Sequence, residues 1–347
     1  MADSAAYARS HARVVRLCAA AGDSRDLRLR LLDELRATVG FDAYAFLLTD
    51  PETSVGCAPI ADFPDLPELP RLIRLKYLTE VNRWTALEGV ARLSEHQGPS
   101  RSLLWRELLS GHGVRDVASM VFRDRFGCWG FLDLHRYDRD FTRAEASYLA
   151  RLIEPVTTGL RRGQAETFVV RPPDAPRPGP LVLLLSHDLR VLGQTPETHA
   201  YLSVLVPPER GRPPVPASAY NVAAQLLAVE AGVDTNPPRA RVHLADGLWM
   251  TLRAARIGAA DPPDRRDIAV TIEESSPAER LSAFTRAFAL SAREAELLGH
   301  LAKGGDSRTV ADQMFLTRNT VQDHLKSIFV KTSTNNRRML LTRALGA

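Results

Sequence analysis

The chain has 347 residues, 45% of them hydrophobic and 25% charged, with a formal net charge of +4. This is ordinary globular composition with room for two or three domains, and it excludes a disordered or collagen-like chain. No apolar run approaches the ~18 residues of a membrane-spanning helix, and the first ten residues lack a basic stretch followed by an apolar core, so neither membrane insertion nor secretion is expected.

Cys18, Cys57 and Cys128 are odd in number and far apart. They argue against a disulfide framework or a structural zinc site and fit small buried side chains in a reducing cytoplasm. Apolar periodicity predicts helices over about residues 6–21 and 24–39, the second capped by Asp23, and then a strand over residues 44–48. Residues 116–122 and 128–135 are β-rich runs separated by Arg123-Asp124-Arg125-Phe126-Gly127, a hairpin pattern. Thr142-Arg143-Ala144-Glu145 is a capping box, and the helix behind it is expected to bury Leu149, Leu152, Ile153, Val156 and Leu160. Trp84, Trp105 and Trp129 are candidates to line a pocket here, although aromatic residues at such spacings also serve as plain core. Residues 171–180 are too rich in proline for a helix or a central strand and read as a stiff linker, dividing the chain after about residue 170.

Beyond that division the pattern changes. Residues 181–185 are a continuous apolar run, Ser186-His187-Asp188 a turn, residues 190–192 a further strand, and Gln194-Thr195-Pro196-Glu197 opens a helix through Leu205. Residues 207–216 and Pro237-Pro238 read as loops. Residues 240–244, 248–256 and 267–273 read as three antiparallel strands, the first pair joined at Asp246-Gly247. His187 and His199 stand alone on a turn and a helix face and are read as structural or solvated, so no metal or cofactor is expected.

Residues 281–289 form a helical or extended joint to a C-terminal unit that opens with Leu290-Ser291-Ala292-Arg293-Glu294, where Ser291 and Glu294 make a second capping box. Leu297, Leu298 and Leu301 share one face, and Gly304-Gly305 ends that helix. A second helix over residues 307–314 buries Val310, Ala311 and Met314. Thr317 caps a third, in which Val321, Leu325, Ile328 and Phe329 form an apolar arc. The opposite arc carries Asn319, Asp323, Lys326 and Ser327, flanked by Gln322 and Lys331, and a fourth helix runs over about residues 336–345. Two short helices presenting a polar-faced third is the helix-turn-helix arrangement, although an ordinary solvated helix face would also be polar. Residues 281–347 hold 10 Lys and Arg against 5 Asp and Glu, whereas the rest of the chain is close to neutral. A polyanionic partner explains so local a surplus.

The string Leu290-Ser291-x-Arg293-Glu294, Gly304, Val310-Ala311, Thr320-Val321, His324-Leu325, Ile328 and Lys331 resembles the LuxR/NarL-type C-terminal domain over that domain's whole length. The resemblance implies that the third helix enters the DNA major groove and that the fourth forms a dimer contact. It carries Gln322, Asp323 and Lys326 over as base-edge or phosphate contacts, within a DNA-facing set completed by Thr317, Arg318, Asn319, Thr320 and Lys331. Two residues depart from the pattern. Gly305 stands where an aliphatic residue is usual, which implies a looser turn into the second helix. Asp323 brings an acid toward phosphates, which is costly unless it accepts from a cytosine amino group or pairs with Lys326.

Cys128-Trp129-Gly130-Phe131-Leu132-Asp133-Leu134 and Phe141-Thr142-x-x-Glu145, with the order of elements around them, resemble a GAF domain. The order of elements after residue 180 resembles a PAS-type fold. The expected fold is therefore multidomain α+β: a GAF-like α/β sensor and dimerisation domain at 1–165, a Pro-rich linker at 166–180, a PAS-like α+β domain at 181–280, and an all-α four-helix LuxR-type helix-turn-helix domain at 281–347. A small-molecule ligand of the GAF-like or PAS-like domain is implied, without its chemistry.

Enzymatic chemistry finds no support, because no phosphate-binding G-x-x-x-x-G-K-[ST] loop, G-x-S-x-G elbow or H-E-x-x-H helix is present. The antiparallel hairpin at residues 110–136 fits poorly with a phosphoacceptor receiver domain, and the Trp/Tyr/Asp constellation of acyl-homoserine-lactone pockets is not recognisable. The expected function is a cytoplasmic, homodimeric bacterial transcriptional regulator that binds double-stranded DNA. The alternative is a sensor or scaffold whose C-terminal helices bind another protein. Half-site readout by a short helix favours a dimer.

Overall fold

The computed structural model describes residues 2–20, 22–62, 66–95, 99–172, 179, 181–205, 216–245, 247–258 and 265–346. Most of the Pro-rich linker, the 207–215 loop and Asp246 of the expected turn lie outside the described residues.

Helix α1 (Ala2–Ala20) is followed by α2 (Ser24–Thr38), which starts where the Asp23 carboxylate accepts from the backbone N–H groups of Arg25 at 3.0 Å and Asp26 at 3.4 Å. Such a cap satisfies donors that the first helical turn leaves unpaired. Strands β1 (Ala43–Thr49), β2 (Gly56–Asp62), β3 (Val90–Arg92), β4 (Asp116–Asp124) and β5 (Gly127–Arg136) form an antiparallel sheet ordered β2-β1-β5-β4-β3. Strands β4 and β5 stay paired from Asp116 opposite Arg136 to Asp124 opposite Gly127. Only Arg125 and Phe126 turn, so the hairpin is tighter than the five-residue connection expected. Gly127 is required there: its φ is +149°, and a Cβ would lie 2.2 Å from the Pro51 carbonyl oxygen.

Alternation along the strands divides the core in two. Phe46, Met120 and Leu132 face α1, α2 and the long helix α4 (Arg143–Glu166). Leu47, Val121 and Phe131 face the opposite side, where α3 (Leu69–Leu78) packs. Helix α4 opens with the expected capping box between Thr142 and Glu145 and buries Leu149, Leu152, Val156 and Leu160, while Ile153 is only half-buried.

A second antiparallel sheet is ordered β7-β6-β10-β9-β8 and consists of β6 (Leu181–Leu185), β7 (Val191–Gln194), β8 (Arg239–His243), β9 (Trp249–Ile257) and β10 (Asp267–Glu274). Helices α5 (Pro196–Leu205) and α6 (Ala217–Glu230) lie between β7 and β8 in sequence. Every residue from Ala217 to Gln225 is buried, because α6 packs on the second sheet through β9 and on the first domain through α3 and β2. A helix covered on all sides has no one-sided apolar stripe. The two sheets consequently share one apolar cluster that includes Ile73, Phe131, Leu183, Ala223 and Val270.

A buried ion pair joins the sheets beside that cluster. Asp50 accepts from Arg241 Nε and Nη2, both at 2.7 Å, and from the Arg241 backbone N–H at 2.8 Å. Arg241 also donates to Glu52 at 2.9 Å and to the Glu279 carbonyl at 2.8 Å.

Five helices follow: α7 (Pro277–Ala287), α8 (Ala292–Ala302), α9 (Ser307–Met314), α10 (Arg318–Thr332) and α11 (Arg337–Leu345). The joint expected over residues 281–289 is helical from Pro277 onward, because a Ser276–Glu279 capping box starts α7 earlier. Among the described residues no helix is long and apolar enough to cross a membrane.

Candidate nucleic-acid interface

Each of the last four helices starts on a side-chain cap supplied by the sequence. Ser291 and Glu294 cap α8 reciprocally, and Asp306 accepts from the N–H groups of Arg308 and Thr309 to start α9. Thr317 accepts from Thr320 N at 3.2 Å to start α10, and Asn336 accepts from Met339 N at 2.8 Å to start α11. Between α8 and α9, Gly304 has a φ of +88°, and the neighbouring glycine corrects the expectation of a looser turn. A Cβ on Gly305 would lie 3.0 Å from the His300 carbonyl oxygen and 3.1 Å from Val310 Cγ2. The turn is tight rather than loose, since a side chain there would require its neighbours to give by a few tenths of an ångström, and Arg337 of α11 donates to the Gly305 carbonyl.

Helix α10 buries Val321, Leu325, Ile328 and Thr332 and leaves the opposite face open. At about 100° per residue, Arg318, Asn319, Gln322, Asp323 and Lys326 share an arc of roughly 140°, and all five are exposed. Thr317 is exposed at the cap and Thr320 lies at the edge, its hydroxyl 2.9 Å from that of Thr317. Lys326 Nζ meets Asp323 Oδ1 at 3.2 Å, with both side chains about three-quarters exposed. A pair so solvated contributes well under ~1 kcal/mol and separates readily.

Lys331 and Ser327 point elsewhere. Lys331 Nζ donates to Glu294 Oε2 and Ser327 Oγ to Glu294 Oε1, both at 2.6 Å. Burial pushes the Glu294 carboxyl up, but the hydrogen bonds from Lys331, Ser327 and Ser291 more than offset it and hold the group down at about 2. One carboxylate thus caps α8 and ties it to α10, setting the angle at which α10 is presented.

Two apolar residues on this surface escape a reading based on polar pattern. Val330 is 81% exposed on the same arc as Asn319 and Asp323, and Phe315 is 95% exposed at a left-handed position with a φ of +56° in the turn before α10. Helical spacing could have flagged Val330. Nothing in the local pattern separates Phe315 from its buried neighbour Met314. Such side chains can contact thymine methyl groups or the sugar edge.

The helical unit is held to the rest of the chain through α7. Phe168 stacks on Trp249 at 4.7 Å and packs edge-on against Phe284 at 5.3 Å. Arg343 of α11 donates to the Phe168 carbonyl at 2.8 Å, and Arg280 of α7 donates to the carbonyls of Gly247 at 2.7 Å and Arg343 at 3.2 Å. Burial lowers the Arg280 guanidinium to about 10.

The three tryptophans considered as pocket residues are otherwise engaged. Trp84 donates to Asp133 at 3.0 Å beneath a buried Lys76–Asp133 ion pair of 2.8 Å, and stacks on Phe131. Trp129 donates to Asp124 and Trp105 to the Val114 carbonyl. Trp249, on the second sheet, lines a cavity. Burial pushes the Cys18 and Cys57 thiols up, to about 11 and about 12, and raises that of Cys128. No group of three or more His, Cys, Asp or Glu able to hold a metal occurs among the described residues.

Residues 289–344 match the family model of bacterial regulatory proteins of the luxR family. The C-terminal unit is a LuxR-type helix-turn-helix domain, the DNA-binding part of a transcription regulator. A search of curated proteins finds no match to the chain.

Proposed function

We propose that the chain is a homodimeric transcription regulator in which GAF-like and PAS-like units, residues 1–165 and 181–280, sense a small molecule and control how the helix-turn-helix domain at 281–347 meets DNA. Helix α10 enters the major groove, with Gln322, Asp323 and Lys326 toward base edges and Thr317, Arg318, Asn319 and Thr320 toward the backbone. Lys331 acts through Glu294 as a strut that orients α10. The observation that carries this reading is the exposed polar arc of α10 on a basic C-terminal segment, the rest of the chain being close to neutral. Asp323 and Lys326 are paired only loosely, so Asp323 can turn to a cytosine amino group as Lys326 turns to a phosphate or guanine. Dimerisation through α11 is supported by its outward face, where Arg338 and Met339 are exposed while Leu340 and Ala344 pack inward.

The test is fluorescence-anisotropy titration of the full chain on the gene's own upstream DNA at a series of salt concentrations. Log affinity should fall steeply with log salt, and Lys326→Ala should reduce the slope by about one unit. Absence of salt-dependent binding on this and other promoter DNA would favour the protein-binding alternative. Sedimentation of the free chain as a monomer at micromolar concentration would remove the dimer.

A further inference from the structure

We propose that the cavity bounded by β1–β2, the start of α2, the end of α4 and β8–β9 binds an organic carboxylate with an apolar body. The proposal rests on the sensory reading above and names its site and ligand class.

The cavity has a volume of about 540 Å³, within the range of small-molecule sites. Cys57, Leu160, Val242 and the Trp249 ring give it apolar walls, and Arg28 and Gln164 are polar groups on the same walls. Arg28 is 3% exposed and lies over the Phe46 ring, yet among the described residues its guanidinium donates only to carbonyl oxygens: Ser24 at 3.2 Å, Phe46 at 3.2 Å and Ala58 at 2.7 Å. Arg241, also on the lining, is already neutralised by Asp50 at 2.7 Å. Asp23 and Glu166 contribute carboxylates, but both are exposed, and Asp23 is engaged in capping α2. Burial lowers the Arg28 guanidinium to about 10, so it remains a cation at neutral pH, with the exposed Asp23 carboxylate nearby and no buried carboxylate bonded to it among the described residues.

The second polar feature is independent. Trp249 is 3% exposed, lines the cavity, and its Nε1–H finds no acceptor among the described residues. A buried donor without a partner is costly, and native proteins avoid it unless another molecule completes it. A buried cation and an orphan donor on a cavity whose lining is part polar and part apolar call for an anion that brings its own apolar surface, which inorganic phosphate does not. The ring face of Trp249 stacks on Phe168, whose carbonyl accepts from Arg343 of the DNA-binding domain. A ligand held by Trp249 therefore lies one aromatic ring away from the joint.

The experiment titrates the full chain, without DNA, with 2-naphthoate and decanoate, using their amides and inorganic phosphate as controls. Tryptophan fluorescence, thermal shift and calorimetric stoichiometry are the readouts. Each acid should bind saturably at one per chain and raise the Tm, with the amides at least about tenfold weaker. Trp249→Phe, which keeps the ring stack, should weaken binding about fivefold. Arg28→Gln should abolish it, and because that change can disturb α2, Gln164→Trp serves as a second variant that fills the cavity from α4. No saturable binding of either acid up to about 5 mM, acids and amides binding equally, phosphate binding as tightly as the acids, or undiminished binding in Gln164→Trp would each overturn the proposal. Failure here leaves DNA binding standing, and absence of DNA binding in the salt titration leaves this site standing.

Discussion

Asp50→Ala is the perturbation with the largest expected effect on how the two sheets hold together. Asp50 is fully buried and Arg241 is 1% exposed, so removing the carboxylate strands a guanidinium between the sheets. Breaking a buried pair from one side costs ~3–5 kcal/mol. Glu52 remains 2.9 Å from Nη2 and is partly solvated, which places the expected loss at the lower end, about 3 kcal/mol. That is a large part of the ~5–15 kcal/mol that stabilises a typical fold. Urea unfolding at pH 7 measures the loss. Adding Arg241→Met should recover at least about 1 kcal/mol by removing the stranded charge. The pH dependence gives an independent reading. Burial pushes the Asp50 carboxyl up, but the Arg241 guanidinium and the N–H groups of Glu52 and Arg241 pull it below its ordinary value. Its contribution is complete above the unfolded value of about 4 and is lost as the pH falls through the lower folded value. The gap between wild type and Asp50→Ala should narrow over that interval. A loss under about 1 kcal/mol at pH 7, or no recovery with Arg241→Met, would refute the reasoning.

Glu294→Gln should cost about 2 kcal/mol at pH 7, the difference fading as pH falls from about 4.5 toward the folded value of about 2; an equal loss in urea titrations at pH 7 and pH 3 would count against the strut. Gly305→Val should lower stability by ~1–3 kcal/mol because the new side chain meets the His300 carbonyl and Val310, and an unchanged Tm would reject the close turn. Cleavage at a protease site engineered between residues 173 and 178 should leave two pieces that co-elute in size-exclusion chromatography, since α6 joins both sheets in one apolar cluster; separate elution would reject the shared core.

The amino-acid sequence determined the elements whose causes are local. Side-chain caps at Asp23, Thr142, Ser291 and Thr317 start helices where their short polar groups predict. The apolar arc of α10 follows from spacing alone, and the basic surplus of its segment follows from composition. Phe329 marks the limit of that pattern, since it falls at the edge of the arc and is only half-buried.

Tertiary structure decided everything that depends on residues far apart in the chain. Helix α6 has no amphipathic period because both of its sides are covered, and the Asp50–Arg241 pair spans 191 positions. Lys331 reads as one more exposed cation until Glu294, 37 residues earlier, claims it. The polar centre of the cavity is likewise assembled from Arg28 on α2 and Trp249 on β9. Caps and periods are encoded within one or two helical turns, whereas a charge becomes a strut, or a site, only through what long-range packing places against it.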